Sequence, residues 1–285
     1  MPLQVWGMIG AGIAVLVAGL VLARVRFRAA SGAGRVIVLG PVFEATALAV
    51  FAAEHFLAAR DLMPIVPRWM PAPLFLTYFV GAALLAAAIS FIAWRHVRWS
   101  ATLLALLFLI IVATIDLPNV PTHANERLFW TLTVRELAFA SGALVLACSV
   151  WPSSTSPVGT ALMRLGRGVV AATMVFYAIQ HFLFPRFVPG VPLEKLTPAW
   201  VPAPTLLAYF VGITLLLAGV GLLIRRTIRI AAAGAGLVLL LLTACFYVPI
   251  LAKEIHLPLA VEGINYVFDT LLLAATALLA GFGAD

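Results

Sequence analysis

The sequence predicts an all-α integral membrane protein of nine transmembrane helices, one N-terminal helix plus two tandem four-helix bundles in parallel orientation. Three observations predict it. Of 285 residues, 64% are hydrophobic and 10% are charged, where a soluble domain carries about 25% charged residues. Nine apolar runs approach or reach the roughly 20 residues that a helix needs to cross a bilayer core. Finally, RWMPAPLFLTYFVG at 68–81 returns as AWVPAPTLLAYFVG at 199–212, with nine of fourteen positions identical. Self-similarity of this kind marks a duplicated structural unit.

The runs cover 4–23, 36–57, 73–94, 99–117, 130–151, 167–184, 204–224, 231–251 and 263–282. No basic segment precedes the first run and an arginine cluster follows it, the reverse of a cleaved secretory signal. It is expected to stay as a helix. Arg24, Arg26, Arg28 and Arg35 follow the first run, Arg95 and Arg98 the third, Arg164 and Arg167 the fifth, and Arg225, Arg226 and Arg229 the seventh. These loops contain no acid, whereas the opposite loops mix both signs. The net charge of +7 is therefore a topology signal, not a nucleic-acid surface. Positive charge stays inside, so the N-terminus is expected outside and the C-terminus in the cytoplasm of a multi-pass inner-membrane protein. Cys148 and Cys245 each lie within an apolar run, and no CxxC dithiol is present.

The repeat extends beyond the opening match. His55-Phe56-Leu57 aligns with His181-Phe182-Leu183 at an offset of 126, and the W-x-P-A-P stretch aligns at 131 because the second loop is five residues longer. His123 aligns with His256, and Glu136 with Asp269, at 133. The chain thus divides into an N-terminal helix with its arginine-rich loop (1–35), a first four-helix unit (36–151) and a second (167–285). An even number of helices inserts both units the same way, related by an axis along the membrane normal. In lipid such helices hold together through small residues and polar contacts, and GAALLAAA (81–88) and AAAGAG (231–236) suit that role. In the repeated stretch, Pro73 and Pro204 stand at the first helical position, where a missing N–H is harmless. Trp69 and Trp200 suit a membrane interface. Tyr78 and Gly81, like Tyr209 and Gly212, share a helix face. The stretch reads as a rigid device for starting a helix.

Polar groups within a membrane are functional hypotheses by default. His55, His123, His181 and His256 all fall at the predicted outer helix ends, in two repeat-related pairs. Imidazole suits zinc, copper and iron. However, no local metal-ligand spacing such as HExxH is present, so no metal site is assigned and a hydrogen-bonding role is expected. Glu136 and Asp269 stand five or six residues inside the last predicted helix of each unit, roughly 8 Å deep at about 1.5 Å per residue. Arg135 adjoins Glu136 but is expected to point to another face, and Asp269 needs a partner from a different helix. Glu44 lies deeper, with Val170 as its counterpart, and Glu54 is matched by Gln180, so the first unit keeps more acid. Glu54, His55, His123, Glu136, His181, His256, Asp269, Tyr78 and Tyr209 are the candidate ligand-binding residues.

EHFL (54–57) and QHFL (180–183), each followed by a proline-containing loop, W-x-P-A-P, YFVG and an acid in the last helix of the unit, resemble the DoxX-like family of small bacterial membrane proteins. The resemblance spans about 36–282 and implies a fused pair of four-helix units with an added helix. Some relatives are linked to quinone reduction with sulfur compounds, and others accompany periplasmic thiol or redox proteins. The expectation that follows is a quinone-linked redox component, or a redox partner subunit, with an outward-facing site. The alternative is a non-catalytic scaffold or a lipid or small-molecule transporter. His55 and His181 would hydrogen-bond quinone carbonyls, and Glu54, Glu136 or Asp269 would accept protons. No flavin, iron–sulfur or c-type haem motif is present. Expected partners are the bilayer, a quinone and a periplasmic or membrane redox protein, but not nucleic acid.

Overall fold

The computed structural model describes residues 3–151, 156–191, 193–257 and 260–284. Among these residues, nine helices are long and apolar enough to cross a membrane: α1 (Leu3–Ala29), α2 (Gly34–Leu57), α3 (Pro73–Ala93), α4 (Val97–Asn119), α5 (Arg127–Val150), α6 (Pro157–Leu183), α7 (Pro204–Leu223), α8 (Ile228–Glu254) and α9 (Ala260–Leu279). No strand forms among the described residues, beyond a single bridge between Phe187 and Leu196 in the α6–α7 loop.

Several helices outrun their apolar cores. α1 continues through Arg24, Arg26 and Arg28, and α6 begins ten residues before its expected start, which places Arg164 and Arg167 on the helix and not in a loop. Hydropathy marks where lipid tails are met. The helix itself continues into the interface, where arginines reach water along their own aliphatic stems. α5 and α9 also begin three residues earlier than expected. Glu136 and Asp269 are therefore each nine residues in from the helix start, about 13 Å at 1.5 Å per residue and not 8 Å.

Helices α2 to α9 pack as a closed ring in chain order, with α9 returning against α2 and with α5 and α9 meeting across the middle. The first helix of each half thus packs on the last helix of the other half as well as on the next helix of its own: α2 lies on α9, and α6 on α5. Helix α1 stands outside, against α2 and α3. Small residues allow these approaches. A Cβ on Gly81 would meet His55 Cβ at 2.8 Å, one on Gly142 would meet Thr276 Cγ2 at 3.0 Å, and one on Gly236 would overlap Leu278. With no hydrophobic drive between helices in lipid, van der Waals packing of this closeness holds them together.

Two local devices occur in both halves. Ala72 and Ala203, the residues before Pro73 and Pro204, are left-handed, with φ of 50° and 47°. A left-handed alanine costs roughly 1 kcal/mol, and it leads from the turn at Trp-x-Pro (Met70 N–H to the Pro67 carbonyl, Val201 N–H to the Pro198 carbonyl) abruptly into a helix with proline at its first position. Helices α4 and α8 each contain one widened π-turn, Val112–Asp116 and Thr243–Tyr247. Pro118 and Pro249 follow two residues after each. A proline inside a helix lacks an N–H and crowds the carbonyl four residues back, and the extra residue in the turn relieves that clash.

Candidate functional site

At the end opposite the arginine-rich loops, the first half encloses a cavity of about 420 Å³. Helices α2, α3, α4, α5 and α9 wall it, and the α6–α7 loop adds Leu193 and Glu194. Its apolar wall is Phe51, Leu84, Phe108, Leu132, Phe139 and Leu272, and its polar groups are Glu54, His55, Arg135, Glu136, Glu194, Glu262, Asn265, Tyr266 and Asp269. Four of the nine candidates, Glu54, His55, Glu136 and Asp269, therefore meet in one space, although α9 belongs to the other half of the sequence.

The deepest part of the site is an ion-pair triad. Arg135 Nη1 donates to Asp269 Oδ2 at 2.6 Å, and its Nη2 and Nε donate to Glu136 Oε1 at 2.8 and 3.2 Å. The partner that Asp269 needs from another helix is thus Arg135. The expectation that Arg135 points away from Glu136 is corrected: its long side chain folds back along α5 and bonds both carboxylates. Above the triad, Asn265 Nδ2 donates to Glu54 Oε1 at 3.3 Å, leaving the buried Asn265 Oδ1 without a partner among the described residues. His55 Nδ1 pairs with the Phe51 carbonyl at 2.7 Å. A carbonyl only accepts, so Nδ1 carries the hydrogen and Nε2 is left as an acceptor. Asp116, at the widened turn of α4, has a buried carboxylate oxygen without a partner among the described residues and lies within electrostatic reach of Arg135 and Glu136.

The other candidates lie elsewhere. His181 is buried with both ring nitrogens engaged: Nδ1 faces the Tyr177 carbonyl at 2.5 Å, and Nε2 accepts from the Gly190 N–H at 2.8 Å. The pairing of His55 and His181 around one ligand is corrected, because His181 fastens its own loop. His123 bonds the Asn119 carbonyl at 3.0 Å and stacks on Phe129 with ring centres 4.0 Å apart. His256 is exposed. Tyr78 and Tyr209 are exposed and lie against Phe56 and Phe182, with ring centres 6.2 and 6.1 Å apart. The four outer histidines do not converge, and among the described residues no group of His, Cys, Asp and Glu is placed to hold a metal ion. Cys148 is buried, Cys245 is exposed, and both are free.

In the second half the corresponding space is filled. Tyr177 stands where the first half has Phe51 and donates to the Thr131 carbonyl at 3.1 Å. Tyr247 stands where the first half has Asp116, fully buried, and donates to the Pro189 carbonyl. The longer α6–α7 loop buries Val188 and Val191, and it presses Gly190, with φ of +104°, so close that a Cβ there would meet Leu242 at 2.9 Å. Beyond this plug the loop crosses to the first half. There Arg127 Nη2 donates to the Leu193 carbonyl at 3.1 Å, while Lys195 ties the loop to its own half through Glu254 on α8 at 2.9 Å.

Asn265, Tyr266, Glu262 and Asp116 were not among the sequence candidates. Glu262, Asn265, Asp269 and Leu272 recur every three or four residues and so mark one helix face; that stripe was legible. The membership of Glu194 was not, since it depends on which loop lies opposite, and Asp116 stands near the triad without lining the cavity. Glu44, also on α2, is completely buried with neither carboxyl oxygen bonded among the described residues. It stands seven residues from Phe51 on the same face, about 10 Å further into the bundle at 1.5 Å per residue. Comparison with family models, curated proteins and solved structures finds no match for this chain.

Proposed function

We propose that this chain is a quinone-linked redox component of a bacterial inner membrane. The cavity would be its quinone site, facing away from the cytoplasm, with the N-terminus outside and the C-terminus inside. One observation carries this reading: His55, Glu54, Asn265 and the Arg135 triad share a single cavity with a largely aromatic and aliphatic wall on α2, α3, α4 and α5. A quinone is a flat apolar ring with two carbonyls. Asn265 and Arg135 bring N–H donors for a carbonyl, and His55 and the carboxylates bring acceptors for the hydroxyls of the reduced ring. Reduction takes two electrons and two protons. The carboxyl groups and His55 can pass protons, while the electrons must come from a reduced thiol or sulfur compound, or from a partner protein that carries them. The resemblance to DoxX-like units adds support from the sequence.

A second reading has its own support. Five carboxylates line the cavity (Glu54, Glu136, Glu194, Glu262 and Asp269) against one guanidinium, Arg135. That surplus of acceptors suits any amphiphile with a hydrogen-donating head, held or carried without redox chemistry.

Both readings meet in one experiment. The chain, purified in mild detergent, is incubated with a short-tailed ubiquinone and analysed by native mass spectrometry beside Leu132→Trp, which fills the cavity from its apolar wall. The expected result is a one-to-one quinone adduct on the parent chain and its loss from the variant. An adduct retained equally by Leu132→Trp removes the cavity as the site. No quinone adduct, with an amine-headed amphiphile retained instead, selects the second reading.

A further inference from the structure

We propose that the opposite, arginine-rich end of the second half holds a site for a phosphate-bearing anion. A pocket of about 700 Å³ opens there between the ends of α6, α7 and α8 and the segment after α9, Gly283 and Ala284. Three arginines line it, Arg164, Arg167 and Arg225, and no acid does among the described residues. Arg167 is a wall element. It is buried, its Nε donates to the Ala280 carbonyl at 2.9 Å, and its Nη2 donates to the Phe282 carbonyl. These bonds fold the chain beyond α9 back over α6 and close one side of the pocket.

Arg164 and Arg225 are different. Both are exposed at the rim, with no hydrogen-bond or ion-pair partner among the described residues. Apart from Asp285, which lies outside the described residues, the sequence at this end carries no acid. Two guanidinium forks facing one space match the paired oxygens of a phosphate, which they grip bidentately. Met163, Leu222 and Ile228 give the pocket an apolar floor, which suits the carbon skeleton attached to that phosphate. The first half supplies a contrast. At the position equivalent to Arg225 it has Trp94, and the Arg26 guanidinium stacks over that ring at 3.9 Å. There an indole replaces one arginine of the pair, beside a smaller pocket of about 320 Å³.

The ligand chemistry is a phosphate ester, carried either by an anionic lipid headgroup or by a soluble phosphate. Basic pockets between helices at this kind of interface take phosphate headgroups. The test uses the full chain in detergent, with native mass spectrometry against phosphatidylglycerol and phosphatidylcholine at equal concentration, and thermal unfolding with inorganic phosphate against chloride. Preferential retention of phosphatidylglycerol supports the lipid source, and stabilisation by inorganic phosphate alone supports the soluble one. Arg164→Gln/Arg225→Gln should lower that preference about fivefold per arginine removed. Arg24→Gln/Arg28→Gln, at the same end but outside the pocket, should leave it unchanged. The proposal is overturned if neither phosphate source is preferred, or if the two double variants lose the preference equally. The quinone site lies at the other end of the bundle and survives or fails independently.

Discussion

At the mixed-charge end, the first half of the molecule encloses an open cavity, and the second half encloses side chains and loop. The backbones around these spaces follow the same plan: a histidine-ended helix, a left-handed alanine before proline, a glycine at the helix contact and a widened turn two residues before a proline. The difference comes from few changes. Phe51 becomes Tyr177, Asp116 becomes Tyr247, and the loop gains five residues whose Val188–Val191 segment enters the gap. A duplicated unit can thus keep its helix packing while one copy gives up a cavity and becomes a plug. At the other end the halves differ again: Trp94 lines a smaller pocket in the first half, where the second has Arg225 beside Arg164.

The largest expected effect falls on the seam shared by both halves. Arg135→Ala leaves Asp269 and Glu136 buried without their cation and should lower stability by about 3–5 kcal/mol, read as unfolding in a denaturing detergent titration. A loss below about 1 kcal/mol would put the triad among screened surface pairs. Next, Glu44→Val installs the residue of the second half at a fully buried, unbonded carboxyl. It should raise stability by about 1–3 kcal/mol. If it also abolishes quinone-dependent activity, the first half keeps its acid for chemistry; if activity is untouched, that acid has no part in the reaction.

The two histidines sharpen the contrast at smaller amplitude. His181→Ala removes two buried hydrogen bonds and should cost about 2–3 kcal/mol without touching ligand retention. His55→Ala should do the opposite, lowering ligand retention while stability moves by less than about 1 kcal/mol. Matching profiles for the two variants would mean that the halves are functionally alike. The smallest effect should also be the most symmetric. Ala72→Gly and Ala203→Gly each relieve a left-handed alanine and should each stabilise by up to about 1 kcal/mol, visible as equal shifts in melting temperature.

The sequence by itself determined the class, the number of membrane-length helices and the repeat, because these rest on properties carried by each residue: hydropathy, proline and glycine placement, and recurrence at a fixed offset. It also yielded four of the nine polar groups of the cavity, Glu54, His55, Glu136 and Asp269, since ionisable residues are conspicuous in an apolar chain. Helix ends were legible only as far as the lipid-facing runs, which is why Arg164 and Arg167 were expected in a loop and Glu136 and Asp269 too near the surface. What only the tertiary structure decided is which candidates meet. Asp269 joins Glu54 and His55 because α9 closes the ring against α2, whereas His181, in the same His-Phe-Leu motif, is consumed by the loop that folds over it. The motif is the same at both histidines, and the packing of distant segments separates a cavity wall from a loop anchor.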